Sequence, residues 1–183
     1  MAVTLSVLGD GVARLRCEKA VHCARPLVGD AWEVAQIYKA AMVAVDADVR
    51  RAKVLDRKFA PELYDEIERE VLEDLSPLLK SHFHVQYDTI QGSQLVRYEC
   101  GDFFSPHIDS GKTYPERVLT VIKYLSDEFS GGETYFPDLN LDVKVLAQDY
   151  LVFYPEVLHG ARPVSAGQKT VFVSWLCRSP IQW

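Results

Sequence analysis

Apolar positions along the chain fall into two textures. Between about residues 30 and 80 they recur at helical spacing. Trp32, Ala35, Ile37, Ala41, Val45 and Val49 predict a first helix, opened by Gly29-Asp30 with Asp30 as N-cap. Pro61-Glu62 opens a second, with proline in the first turn. Its stripe is Leu63, Ile67, Val71, Leu72 and Leu75, and it is expected to end near Ser76-Pro77 or a turn later. From about residue 84 the pattern changes to short β-type runs separated by turn residues. Strands are expected at 92–99, 118–125, 132–136, 143–146, 150–154, 160–164 and 169–177, with one more within 3–16. Turns fall at Gly101-Asp102, Ser110-Gly111, Gly131-Gly132, Pro137-Asp138 and Ala166-Gly167. Many short strands with regular turns predict a sandwich or barrel. Helices from the N-terminal part packed on one sheet make this an α+β, mainly β, arrangement.

At 183 residues, and roughly 150 per domain, the chain reads as a single domain spanning 1–183. Residues from about 1 to 83 form a helical support region and 84–183 a β-rich core. Nearly half of the residues, 48%, are hydrophobic, enough for a real core. The net charge of −6 argues against non-specific nucleic-acid binding, which needs cations to neutralise phosphates. Cys17, Cys23, Cys100 and Cys177 form no C-x-x-C pair and no zinc spacing, so they read as free thiols in a reducing compartment. No apolar run approaches the ~20 residues of a bilayer span. The first residues, MAVTLSVLGDGVARLR, lack the basic start and apolar stretch of a signal peptide. The expectation is a cytoplasmic protein with no membrane partner.

The candidate chemistry lies in the β-rich part. In His107-Ile108-Asp109 the first and third side chains share a strand face, so both can reach one ion while Ile108 turns away. His159 follows the run Tyr150–Tyr154 and should sit just beyond a strand end, where a loop can aim it inward. Two imidazoles and a carboxylate on one face of a metal leave the opposite positions open, as in non-haem Fe(II) oxygenases. A zinc hydrolase can use the same three ligands, but the chain has no H-E-x-x-H helix and no obvious general base near His107 or His159. Lys169, ten positions after His159, offers a point charge for a distal carboxylate, or is a solvated surface lysine. His82-Phe83-His84 reads as a turn after the second helix rather than a metal pair, and His22 is given no role.

Four linked motifs lift the set above chance. Arg97-Tyr98 through Gly101, Phe104, His107 and Asp109 matches RYxxGxxFxxHxD. Arg117, Thr120, Tyr124, Leu125 and Asp127 follow R-x-x-T-x-x-x-Y-L-N-D. Gly131-Gly132-Glu133-Thr134-Tyr135-Phe136-Pro137 matches GGETxFP, and His159 through Pro163, Val164, Gly167 and Lys169, with Trp175, matches H-x-g-x-P-V-x-x-G-x-K and its trailing tryptophan. In order and spacing, residues from about 92 to 178 resemble the prolyl 4-hydroxylase-like family of Fe(II)/2-oxoglutarate dioxygenases.

The resemblance implies a double-stranded β-helix (jelly roll), with Fe(II) on His107, Asp109 and His159 and the distal carboxylate of 2-oxoglutarate on Lys169. It places Tyr98, Thr120, Tyr124 and Trp175 around the 2-oxoglutarate site; as residue types alone the three aromatics also read as core. By the same resemblance Arg117 faces the substrate and Glu133 is a further substrate contact, though one reads also as a surface arginine and the other as the end of a turn. The implied reaction is hydroxylation of an unactivated C–H bond, coupled to conversion of 2-oxoglutarate and O₂ to succinate and CO₂, with ascorbate supportive. A carboxylate at Asp109 argues against halogenation, for which related enzymes carry a small residue there. The substrate could be a prolyl residue, a free amino acid or a small metabolite. Lys112, Arg117 and Arg162 would suit a carboxylate on it, and Ser110–Glu116 sits where a mobile lid often lies. The competing expectation is a non-catalytic metal- or 2-oxoglutarate-binding β-barrel that acts as a sensing module. The oligomeric state is not legible.

Overall fold

The computed structural model describes residues 3–17 and 48–179. Two antiparallel sheets face each other. The larger has seven strands in the order β1-β2-β11-β7-β14-β5-β4, and the smaller five, in the order β10-β9-β12-β6-β3. In chain order these are β1 (Val3–Gly9), β2 (Val12–Cys17), β3 (Arg50–Arg51), β4 (Lys53–Leu55), β5 (Thr89–Tyr98), β6 (Phe103–His107), β7 (Arg117–Tyr124), β8 (Phe129–Gly131), β9 (Thr134–Phe136), β10 (Leu141–Val143), β11 (Tyr150–Phe153), β12 (His159–Ala161), β13 (Val164–Gly167) and β14 (Lys169–Cys177). Strands β8 and β13 pair separately. Helices α1 (Pro61–Arg69) and α2 (Ser76–Phe83) precede β5 and are joined by a π-helical turn, Glu70–Asp74.

Strand parity divides the core. On β7, Leu119 and Val121 point to the helices, while Ile122 and Tyr124 point to the smaller sheet. The helix side is filled by Leu63, Ile67, Val71, Leu75, Leu79 and Phe83, all buried. Lys123 breaks the apolar pattern on that side and is paired with buried Glu70 at the π turn. Tyr64 ties α1 to the sheet. Its hydroxyl donates to Leu55 O at 2.6 Å and accepts from Leu95 N–H at 2.8 Å. Tyr64→Phe leaves both backbone groups buried without that partner and should cost about 1–3 kcal/mol of stability in denaturant unfolding.

The mainly β class with helices against one sheet agrees with the pattern. Several boundaries differ. The first predicted helix lies outside the described residues except for its end: Val49 is in a turn, and 50–51 and 53–55 are strands. The second helix does not stop at Pro77, because proline is tolerated in a first turn and there opens α2. Residues 3–17 make a hairpin rather than one strand. The run 160–164 is split at Pro163 into β12 and β13, and Gly167 belongs to β13. No helix among the described residues is long and apolar enough to cross a membrane.

Candidate active site

His107, the last residue of β6, and His159, the first of β12, are direct partners across the smaller sheet. His159 is therefore not in a loop, as its position after Tyr150–Tyr154 suggested; the turn from β11 delivers it straight into a short strand. Gly160 makes this approach possible. A Cβ there would sit 2.6 Å from Phe104 O and 2.7 Å from the Tyr135 ring. Asp109 lies just past β6, with its N–H bonded to Pro155 O at 2.8 Å. Ile108 between them is turned out and 49% exposed.

The three side chains converge, with ligand atoms all within 4.8 Å of one another. His107 Nε2 is 3.6 Å from Asp109 Oδ1, and His159 Nε2 is 3.4 Å from Oδ2. Each imidazole places Nδ1 2.9 Å from the carbonyl oxygen two residues earlier, Ser105 O and Val157 O. Those contacts turn Nε2 of each ring toward the Asp109 carboxylate, and metal-binding histidines make the same second contact through Nδ1. A first-row ion held at ~2.1 Å sets adjacent donors about 3 Å apart, so the set fits one ion with a small contraction. Burial pushes the Asp109 carboxyl upward, but the two imidazoles beside it outweigh burial and hold it well below the usual carboxylate range.

Thr120 lines the same cavity, and its hydroxyl donates to Asp109 Oδ2 at 2.7 Å, so it supports the carboxylate rather than offering a free donor. Thr120→Val should weaken Fe(II) or Mn(II) binding by about 10–100-fold in a metal titration, with little change in shape.

Lys169 lies at the other end of the cavity, on β14, and is 2% exposed. Its Nζ donates to Gly132 O at 2.7 Å, reaches Thr134 Oγ1 at 3.4 Å, and lies 5.4 and 5.2 Å from the Tyr98 and Tyr124 ring centres. No carboxylate among the described residues pairs with it. Burial lowers its pKa to about 7, opposed by Glu133. Tyr98 and Tyr124 are buried beside it, and burial raises both hydroxyls. Tyr124 Oη shares a 2.6 Å hydrogen bond with Thr134. The indole N–H of Trp175, which lines the cavity, is buried and faces the Asp109 carboxylate without a full hydrogen bond among the described residues. An orphaned buried donor and an unneutralised ammonium in one cavity are what an acidic ligand would satisfy.

Arg117 and Glu133 are not in the cavity wall. Arg117 Nη1 donates to Asp109 O at 2.8 Å, and its guanidinium is held between the rings of Tyr114, at 3.8 Å, and Trp175, at 3.9 Å. Gly92 lies against the indole at φ +67°, a backbone conformation that favours glycine. Arg162 is paired with Asp142 and lies on Tyr135, and Lys112 is exposed in the 110–116 turn. His82 lies in the last turn of α2 and His84 is its left-handed cap, and they are in no cluster of metal-binding side chains among the described residues. The wall residues left without a role by sequence reasoning include Arg50, Gln94, Phe104 and Thr134. Phe104 stood inside a quoted motif, but nothing marked Arg50, which lies in a segment of helical texture.

Residues 93–177 match the model of the 2OG-Fe(II) oxygenase superfamily. A putative prolyl 4-hydroxylase of Acanthamoeba polyphaga mimivirus is 37% identical over 114 residues, which are 51% of this chain and 47% of that one. Probable prolyl 4-hydroxylase 3 of Arabidopsis thaliana is 27% identical over 140 residues, 58% of this chain and 49% of the relative. The chain thus spans about half the length of the curated relatives it matches. Among solved structures, a Pseudomonas putida prolyl-4-hydroxylase superposes with TM-score 0.72 at 18% identity, over 92% of this chain and 93% of that one. The viral collagen prolyl hydroxylase of Paramecium Bursaria Chlorella virus-1, as its 2OG complex, gives 0.68 at 20%, over 92% and 97%. These neighbours share the double-stranded β-helix fold. In its motifs, its sheets and the match over its β-rich part, the chain is similar to prolyl 4-hydroxylase-like 2OG-Fe(II) oxygenases.

Proposed function

We propose that the protein is an Fe(II)/2-oxoglutarate-dependent hydroxylase, with His107, Asp109 and His159 as the iron ligands and Lys169 as the anchor of the co-substrate. The observation that carries this is the cavity itself, with three convergent candidate metal donors at one end and, at the other, a buried ammonium with no carboxylate partner among the described residues. When bound, the iron would supply the activation of O₂ that turns 2-oxoglutarate into succinate and CO₂ and oxidises a C–H bond. The protein's own residues do the rest. Lys169 sets the orientation of the co-substrate through its far carboxylate, with Tyr98 and Tyr124 around it, while the Trp175 N–H lies at the Asp109 end of the cavity. Thr120 and the main-chain carbonyls beside the histidines fix the donor set before metal arrives, so little reorganisation is needed. Arg117 holds the Asp109 main chain and the Trp175 ring together.

The hydroxylated substrate is a prolyl residue, a free amino acid or a related metabolite; the prolyl 4-hydroxylases among the relatives favour a proline ring. Asp109 fills the position that a halide would need, which favours hydroxylation. The cavity wall holds no carboxylate besides Asp109 among the described residues, which disfavours a zinc hydrolase, since none is left to act as general base.

The test is succinate release from 2-oxoglutarate with Fe(II), ascorbate and O₂, together with the visible band of the anaerobic Fe(II)–2-oxoglutarate chelate. Turnover with the band supports the hydroxylase. The band without turnover on any candidate substrate supports a sensing module. Tight zinc with no band overturns both.

A further inference from the structure

Arg50 is the one cation besides Lys169 in the cavity wall among the described residues. It sits on β3, the edge strand of the smaller sheet, directly opposite Phe104 of β6. Its guanidinium lies 4.7 Å from the centre of the Phe104 ring, and that ring stacks on His107 at 3.6 Å with planes 20° apart. A short column of three flat groups therefore leads from Arg50 to a metal donor.

The partners of Arg50 are neutral. Both terminal nitrogens donate to Gln94 Oε1 at 3.3 Å, and Nε is buried with no partner among the described residues. Its neighbours are treated differently. Arg51 pairs with Asp102 at 3.5 Å and Lys53 with Glu99 at 2.5 Å. Arg50 alone of these three turns its charge into the cavity with no carboxylate among the described residues to meet it. The other arginines that could greet a substrate are committed elsewhere, Arg117 to the Asp109 carbonyl and Arg162 to Asp142.

Charge balance decides what should meet it. Among the described residues the wall carries two cations, Arg50 and Lys169, and one carboxylate, Asp109. In the reading proposed above, on which this inference rests, the dication and the 2-oxoglutarate dianion cancel. One positive charge is then left in a closing, partly desolvated site. A neutral occupant would leave it unpaired, which is costly. An anionic one would pair with it, and guanidinium geometry suits a carboxylate in two-point contact.

We propose that Arg50, supported by Gln94, recognises a free carboxylate on the substrate, so that the protein acts on a carboxylic acid rather than on a residue inside a peptide. The same carboxylate is carried by a free α-amino acid and by the C-terminal residue of a peptide.

The experiment compares succinate release, and calorimetric binding to the anaerobic Fe(II)–2-oxoglutarate protein, for three sets of probes: free L-amino acids including L-proline, short peptides ending in proline with a free carboxylate, and the same compounds as amides or with proline internal. Free acids should bind and stimulate at least tenfold better than their amides. Preference for the amino acid or the C-terminal peptide tells the two sources apart. Arg50→Gln should bring the ratio of acid to amide close to one, and Arg50→Lys should keep most of it. Thermal midpoints of both variants separate this from misfolding, and the acid-to-amide ratio of the wild type stands whether or not a variant folds. Equal or better use of amides or internal prolyl peptides overturns the inference, as does an unchanged ratio in a folded Arg50→Gln. Failure of the wild type to form the chelate band defeats the hydroxylase reading instead.

Discussion

His159→Ala should end Fe(II)-dependent succinate release from 2-oxoglutarate, and His107→Ala should do the same. Each removes one of three donors whose atoms lie within 4.8 Å of one another, and the remaining imidazole and carboxylate do not hold Fe(II) at the concentrations that saturate the wild type. The two variants differ in what else they disturb. His159 is 5% exposed and lies 4.5 Å, centre to centre, from the Phe153 ring, so its truncation also opens a small cavity. His107 is half-buried, and its loss should leave the melting temperature of the metal-free protein nearly unchanged. A metal titration, a thermal melt and a succinate assay on both proteins make the comparison. Wild-type turnover in either folded variant would remove the metal assignment.

Lys169→Ala should raise the 2-oxoglutarate requirement steeply. A dicarboxylate drawn into that end of the cavity would find no cation, and loss of one partner of a buried pair costs about 3–5 kcal/mol, roughly a hundred- to several-thousand-fold in affinity. A titration followed by the chelate band reads this without turnover, and an unchanged requirement would move the anchor elsewhere. The ammonium also gives pH a sign. In the ligand-free protein burial lowers the Lys169 pKa to about 7. Binding a dianion needs the protonated form, so affinity should fall as pH rises above 7. Stability of the ligand-free protein should move the other way. The unfolded chain keeps this amine protonated up to about 10.4, so between about 7 and that value it holds more protons than the folded one, and stability rises with pH across the window. Lys169→Ala should flatten both slopes.

The convergence of His107, Asp109 and His159 was legible because H-x-D and a later histidine stood within four motifs of fixed order, which together specify more than any one residue. Lys169, Tyr98 and Tyr124 came with them. Other features had weaker signals. Strand β6 carries His107 but reads Phe-Phe-Ser-Pro-His, with no alternation and a proline, so only its pairing with β12 and β3 defines it. The hairpin at 3–17 did have a signal, Gly9-Asp10-Gly11, where an Asp-Gly step with Gly11 at positive φ turns the chain. Arg50 had none, because two residues of edge strand carry no period, and its place in the wall comes from a partner strand some fifty residues on. The contacts of Thr120 and Arg117 with Asp109 were hidden for a related reason. Strand parity tells which way a side chain points, but not that Asp109 lies near enough to claim the hydroxyl of one and the guanidinium of the other.

The two ends of the cavity belong to different sheets. His107 and His159 stand on the five-stranded sheet and Lys169 on the seven-stranded one. A co-substrate held at both ends would be a strut across the sandwich, and no partly opened molecule could keep both grips. Its binding would then act as a lock on the whole fold, worth about 2.7 kcal/mol at a hundredfold excess over Kd. Starved of 2-oxoglutarate, the same protein would be the looser one, and its survival in the face of proteolysis would follow the supply of that metabolite.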